Sequence, residues 1–424
     1  MRILYVVHQF YPDSSAGTER FLLSLANAVQ RSGHYAEVVT YSMKDSSELR
    51  PTGTVLLRYY VYKHIPVTAV RHPRLCVDVN TAVEDPAVRS FARQHLANGR
   101  YDIVHIVHPM RMSSFATVAH EQGVPYVMTL TDFWTICPKI TLQTTCGSLC
   151  SGPQSGDACA QFCPELNSAS VKSRLAAIHA IVRRASMVIS PSEIASALVQ
   201  NEFPDIPITV VPHGLCLRVF SAQRKQYEPD RHITFGYCGG LAPHKGVHLL
   251  IEAFRSLNTN TAHLHIYGAA APNERNYAHR LHKLAGGDER IVFCGDYSIE
   301  DVGRVFQSID VLVIPSVWYE TYSFTLHEAF ASQVPIIASD IGVLGEKIKE
   351  GLNGLKFPVG DAAALAGKLK LIIETPTLLN SMRAVLKGFS CPLEEEEAYL
   401  YERIYRTAVG AGRSARRVSV QREC

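Results

Sequence analysis

Residues 311–329 read VLVIPSVWYETYSFTLHEA, and this stretch decides the fold. Val311-Leu312-Val313-Ile314 is an unbroken apolar run, the pattern of a strand buried on both faces of a parallel sheet. It stops at Pro315. A helix is expected to begin near Ser323 or Thr325, with Phe324, Leu326, Ala329 and Phe330 spaced along one face. In an open α/β sheet, ligands lodge between the carboxyl end of such a strand and the next helix. Two carboxylates frame that gap, Glu320 in the loop and Glu328 in the first turns of the helix. The amides and positive dipole end around Tyr322, Ser323, Phe324 and Thr325 suit an anion, and carboxylates suit hydroxyls. A ligand with hydroxyls at both ends and a diphosphate between them, a sugar nucleotide, satisfies all three. The plain alternative is that both glutamates are solvated helix-start residues.

The same strand-loop-helix grammar repeats on either side. Ile3–Val7 reads as a buried first strand, followed by the loop HQFYPDSSAGTE and a helix burying Leu22, Leu23, Leu25, Ala26 and Val29. Thr18 is expected to cap that helix and Gly33 to end it. Gly17 at the turn permits close backbone approach to a ligand, or serves only a tight turn. The G-x-G-x-x-G spacing of a dinucleotide site is absent. Further strands are expected at residues 38–41, 101–108, 124–130, 187–190 and 208–211, with 42–81 hard to assign. His105 and His108 lie at a strand end, where an acceptor could be met, although such histidines are more often structural. Asp132, in TLTDFW, either accepts a ligand hydrogen bond or caps the next turn. Polar QRKQYEPDR (223–231) reads as a linker, and Ile233–Cys238 opens a second sheet. There, Gly239-Gly240 and Lys245 precede a helix from Val247, so backbone and a compact positive charge can meet an anion.

These elements predict an α/β protein of two Rossmann-like domains: residues 1–222, then 223–390. A helix over about 391–409 is expected to return to the first domain, and a disordered basic tail to fill 410–424. The 424 residues are 47% hydrophobic and 19% charged, the balance of an ordinary globular protein with room for proper cores. Formal net charge is +3, part of it from Arg413, Arg416, Arg417 and Arg422, which argues against nucleic acid as a partner. With no bilayer-length apolar run and too short an apolar segment at MRILYVV for a signal peptide, a cytoplasmic location is expected, with docking on the inner membrane face left open.

Within about 137–163 lies a cysteine-rich insertion: Cys137, then Cys146, Cys150, Cys159 and Cys163. The last four form two pairs, a set suited to a tetrahedral structural zinc ion, with disulfides disfavoured in the cytosol. Cys238 and Cys294 read as small core residues. No Asp-x-Asp pattern occurs, so a divalent ion held that way at a diphosphate is not expected.

Glu320-x7-Glu328, with Pro-Ser before it and Glu-Ala after, resembles the signature of the retaining GT-B glycosyltransferases of family 4, as does the continuation PIIASDIGVLGEKIKEGLNGLKFPVGD. The likeness extends over nearly the whole chain. It implies two Rossmann-like domains facing across a cleft, with a sugar moved from a nucleoside diphosphate sugar to a glycan, lipid-linked or small-molecule acceptor. In that scheme Gly17 lies across the cleft from the donor diphosphate, and the backbone near Phe293 faces the base. Glu328 holds the ribose hydroxyls and Glu320 a hydroxyl of the donor sugar, while Lys245 and the Tyr322-Ser323-Phe324 amides meet the departing diphosphate. The catalytic set would be Glu320, Lys245 and Asp132. Two departures stand out: Thr131 occupies the position of a histidine near the transferred sugar, and Gly240 that of a phosphate-binding arginine. They favour one rival, a weakened paralogue acting as a binding or partner subunit. A sugar-nucleotide 2-epimerase shares the architecture but needs further acid/base groups.

Overall fold

The computed structural model describes the backbone of residues 1–220 and 225–422, without the side chains of residues 219 and 413–422. It divides into two units, Met1–Gly214 with Glu394–Cys424, and Leu215–Leu393.

The first unit carries β1 (Arg2–Val7), β2 (Tyr35–Tyr41), β3 (Arg50–Thr52), β4 (Val55–Tyr62), β5 (Ile65–Arg71), β6 (Ile103–Ile106), β7 (Tyr126–Thr129), β8 (Met187–Ser190) and β9 (Ile208–Val210). They form one nine-stranded sheet in the order β3-β4-β5-β2-β1-β6-β7-β8-β9. From β5 to β9 the pairing is parallel, and β1, flanked by β2 and β6, is buried on both faces from Ile3 to Val7. The segment that was hard to assign forms an antiparallel extension, β3-β4-β5. Its two-residue turn, Lys63-His64, has positive φ at both positions (43° and 69°), the geometry a tight hairpin needs, but without the usual Asn-Gly. The helix Gly17–Arg31 starts at Ala16 with no side-chain cap, so Thr18 does not cap it, while Gly33 follows its end with φ 81°.

In the second unit β10 (Ile233–Cys238), β11 (Ala262–Tyr267), β12 (Ile291–Gly295), β13 (Val311–Ile314), β14 (Ile336–Ser339) and β15 (Gly354–Phe357) pair in parallel. Their order is β12-β11-β10-β13-β14-β15, the doubly wound Rossmann arrangement. The boundary falls at Gly214/Leu215, earlier than the polar stretch suggested. Tyr227 is already core, its hydroxyl and the Lys225 ammonium both donating to Asp310 (3.0 and 2.9 Å). Residues 221–224, which include the start of the expected linker, lie outside the described residues.

The final helix, Glu394–Arg422, packs on the first unit as expected, and it runs past Gly410 where a disordered tail was anticipated. The side chains of Arg413, Arg416, Arg417 and Arg422 lie outside the described ones. His105, a candidate acceptor contact, is instead wholly buried beneath this helix. Its two nitrogens meet Tyr405 Oη and Thr129 Oγ1, each at 2.8 Å, and Thr129 Oγ1 meets Tyr401 Oη at 3.0 Å. Burial lowers the His105 imidazole to about 3, so it stays neutral. Among the described residues no helix is long and apolar enough to cross a membrane.

Candidate functional site

In a doubly wound sheet the ligand crevice opens where the strand order reverses, between neighbouring strands whose connections leave in opposite directions. In the second unit that point lies between β10 and β13, and the sequence-identified groups gather there. Lys245 Nζ stands 2.7 Å from Glu320 Oε1. The same oxygen accepts hydrogen bonds from Ser316 Oγ (2.8 Å) and Trp318 Nε1 (3.0 Å). Trp318 also places its ring 4.9 Å from the Lys245 ammonium and edge-on to His244, whose carbonyl accepts from Val317 N at 2.9 Å. Burial alone pushes the Glu320 carboxyl up, but the Lys245 ammonium with the Ser316 and Trp318 donors outweighs it and holds the group below the usual carboxylate range. Glu320 is therefore ionised at neutral pH and accepts hydrogen bonds without donating any.

The backbone explains the close approach of these two loops. Gly246 has φ 70°, and a Cβ there would lie 1.9 Å from the Pro315 carbonyl oxygen. Only glycine lets the Lys245 loop lie against the end of β13. On the other side, Gly268 has φ 132° and a Cβ would fall 1.8 Å from Gly239 O, so the ends of β10 and β11 touch in the same way.

Ser323 precedes the helix Phe324–Ala331 in a left-handed conformation, φ 65° and ψ 82°, unusual for a residue with a Cβ. Tyr322 behind it is buried and stacked on His327 with ring centroids 4.1 Å apart. Glu328 has no exposed surface. The Cys238 thiol at the end of β10 is pushed well above its ordinary range first by burial and then by the Glu328 carboxylate. Gly240 is exposed, and a Cβ there would find its nearest neighbour, Ala269 O, at 4.0 Å. Phe293, on β12, is half-buried with its ring 3.9 Å from that of His282. Cys238 is buried as expected, but Cys294 is exposed, a correction that follows from its place in the exposed last residues of β12.

Gly17 and Asp132 belong to the first unit, whose own reversal point lies between β1 and β6. Gly17 is exposed as the first residue of its helix. Asp132 uses both oxygens: Oδ1 accepts from Trp134 N (2.8 Å) and Oδ2 meets His108 Nε2 (2.6 Å). His108 Nδ1 accepts from Met110 N at 3.2 Å, so Nε2 carries the proton it donates to Asp132. Against His108, 4.0 Å between ring centroids, lies His8, whose Nε2 is 3.8 Å from Glu19 Oε1. The sequence reading named His108 and Asp132 but missed His8 and Glu19 and the group that the four form. The signal was the matching position of His8 and His108, each just past the end of one of the two strands at the reversal. Thr131 supplies no imidazole, but His108 does so from the neighbouring strand.

Burial pushes the Glu19 carboxyl up to about 7, against backbone and Ser14 hydrogen bonds that lower it. This makes a test. A folded-state pKa above the unfolded value of 4.5 means that protonated Glu19 favours folding at low pH. That contribution disappears as the pH rises from 4.5 through about 7, a loss of about 3 kcal/mol. Glu19→Gln is expected to remove this slope, leaving the variant more stable than the parent at pH 8 and similar at pH 4.5. Urea unfolding midpoints at the two values check it, and parallel pH profiles would refute it.

Among the described residues, the four cysteines expected to hold zinc do not all stand within ligand reach of one another. Cys146 sits on an exposed turn closed by Gly147 N to Thr144 O (3.0 Å). Burial, and after it the Cys137, Cys163 and Cys150 thiols, pushes the Cys159 thiol up to about 12. All five are free thiols, and among the described residues no three of them come within ligand reach of one another.

Comparison with known proteins follows the same two-unit division. A model of the glycosyl transferase 4-like domain matches residues 16–214, and one of the glycosyl transferases group 1 matches residues 219–386. The chain is 27% identical over 252 residues to a lipopolysaccharide core biosynthesis mannosyltransferase of Rhizobium leguminosarum bv. viciae, covering 55% of this chain and 68% of that protein. It is 24% identical over 374 residues to an uncharacterized glycosyltransferase of Methanocaldococcus jannaschii, covering 84% of each. Among solved structures, sucrose-phosphate synthase from Thermosynechococcus elongatus superposes with a TM-score of 0.70 at 18% identity, covering 97% of this chain and 100% of that one. HepE of Anabaena, solved in complex with UDP-glucose, gives 0.66 at 17% identity, covering 97% and 100%.

Proposed function

Because the chain belongs to the group 1 glycosyltransferases, family 4, with the GT-B fold, we propose that it moves a sugar with retention from a nucleoside diphosphate sugar to a glycan, lipid-linked or small-molecule acceptor. The observation that carries this reading is the Lys245–Glu320 contact at the β10/β13 reversal, beside the strained Ser323 helix start. An ionised Glu320 accepts hydrogen bonds from sugar hydroxyls but repels a diphosphate, and the Lys245 ammonium between them resolves the conflict. Lys245 and the amides that open the Phe324 helix then meet the charge that grows on the leaving diphosphate. Glu328 takes the ribose hydroxyls, with Phe293 toward the base. The acceptor oxygen bonds to the anomeric carbon on the face from which the diphosphate departs, and its proton goes to the leaving phosphate oxygen. No divalent ion is given a part, since the sequence lacks an Asp-x-Asp pattern. Asp132 with His108 and His8 is assigned to the acceptor. The lipopolysaccharide core biosynthesis relative favours a surface glycan as acceptor, and the working location assigned to the chain is the cytoplasm or the inner membrane face.

Adding a panel of nucleoside diphosphate sugars with acceptor and measuring free nucleoside diphosphate tests the reading. Nucleotide binding without release under any combination would favour the binding-subunit alternative, which Gly240 supports. Gly240 offers a further test, because its surroundings have room for a side chain. Gly240→Arg is expected to tighten nucleoside diphosphate binding roughly tenfold by one charge-assisted phosphate contact. Calorimetric titration reads this directly, and unchanged or weakened binding would place the diphosphate elsewhere.

A further inference from the structure

The 72–85 loop, between β5 and the helix Pro86–Gly99, holds a cluster that the transfer reaction does not use. An imidazole nitrogen of His72, the Cys76 thiol and a carboxylate oxygen of Asp85 all lie within 4.8 Å of one another. We propose that His72, Cys76 and Asp85 form a binding site for a zinc-class divalent ion that clamps this loop to the ends of β2 and β5.

Three features support a ligand set over a chance meeting of polar groups. The first is orientation from behind. His72 Nδ1 is 2.7 Å from the buried Tyr41 hydroxyl, which leaves Nε2 facing Asp85 Oδ2 at 3.0 Å. A metal-bound imidazole is held through its other nitrogen in this way. The second concerns Asp85. Its Oδ1 accepts from Ala87 N and Val88 N, both at 2.9 Å, as the cap of the following helix. The carboxylate is thereby locked with Oδ2 toward the histidine. The third is chemical: one sulfur, one nitrogen and one oxygen suit a borderline-soft ion, and donors around tetrahedral zinc stand about 3.3–3.8 Å apart. Three protein ligands leave a fourth position for water. His72 is buried and Cys76 exposed, so the site has a fixed floor and an open side.

The loop also carries Asn80, which gives the clamp a consequence. Asn80 Oδ1 accepts from Arg111 Nε and its carbonyl from Trp134 Nε1, each at 2.8 Å, and Arg111 Nη1 donates to His8 O at 3.2 Å. An ion at the loop base would therefore steady the surroundings of His8 and Asp132. The assignment does not depend on the sugar-transfer reading.

The full chain, stripped with chelator, would be titrated with Zn²⁺ against a chromophoric competitor and with Co²⁺ alone, whose thiolate charge-transfer absorption reports sulfur ligation. The thiols of residues 137–163 could also bind, so the comparison is with Cys76→Ser, an exposed substitution that leaves the fold intact. The parent is expected to bind one equivalent more than Cys76→Ser, or to bind that equivalent on the order of 100-fold more tightly. Tyr41→Phe is expected to weaken the same equivalent roughly tenfold. Zn²⁺ should also slow proteolysis within residues 72–85 in the parent but not in Cys76→Ser. Equal stoichiometry, affinity and Co²⁺ spectra in parent and Cys76→Ser would overturn the proposal, as would a parent chain that takes up no Zn²⁺.

Discussion

Lys245→Ala is expected to lower kcat roughly 10²–10³-fold, equivalent to about 3–4 kcal/mol of transition-state stabilisation. Two losses combine. The ammonium no longer meets the charge growing on the leaving diphosphate, and Glu320 loses the counter-charge that holds it ionised. Glu320 is 8% exposed, and of the influences on its carboxyl, burial, which pushes it up, is the largest. With Lys245 gone, the Ser316 and Trp318 donors are left to oppose that push. The acidic limb of the pH–rate profile should therefore move to higher pH in the variant. Lys245→Arg keeps the charge but replaces a compact ammonium by a planar fork, and it should recover part of the rate. Initial rates across pH, with circular dichroism to confirm folding, decide the matter. A kcat within threefold of the parent would remove Lys245 from the reaction.

Glu328→Ala is expected to abolish measurable turnover while leaving the fold intact. Its carboxylate is wholly buried on the first turns of the Phe324 helix. Each hydroxyl hydrogen bond to a charged acceptor contributes about 1.5–3 kcal/mol, so two ribose hydroxyls account for a loss of 10² or more in affinity. Glu328→Gln, which keeps the volume, should retain part of it. The discriminating measurement uses a 2′-deoxy nucleotide. The parent should bind it more weakly than the ribonucleotide, and Glu328→Ala should bind the two alike. If the variant keeps its preference for the ribonucleotide, Glu328 does not read the sugar.

Much of this architecture was legible because buried parallel strands declare themselves as apolar runs. Ile233–Cys238 and Val311–Ile314 fall where the pattern put them, and Glu320, Glu328 and Lys245 follow from their place at the strand ends. What escaped notice involved pairing across long sequence separations. The β4–β5 hairpin turns on Lys63-His64, whose left-handed conformations the residue types do not advertise. Ser316 and Trp318 became visible as partners of Glu320 only once the loop folded back on itself. His8 and His108 are 100 residues apart and meet because β1 and β6 are neighbours. Regular spacing also drew attention to Cys146, which the chain leaves on an exposed turn, a placement that spacing alone does not reveal.

The closing helix has one more implication, for biosynthesis. Tyr401 and Tyr405 complete the buried network around His105 and Thr129, and Glu397 accepts from His213 and Gly214 N, so the first unit is built from both ends of the chain. On a ribosome the contiguous Leu215–Leu393 unit emerges whole before its predecessor can be finished. The amino-terminal sheet must wait, with His105 uncovered, until the Glu394–Arg422 helix has followed. A chain truncated after Leu393 and released should thus yield a protease-resistant Leu215–Leu393 fragment and a digestible amino-terminal one.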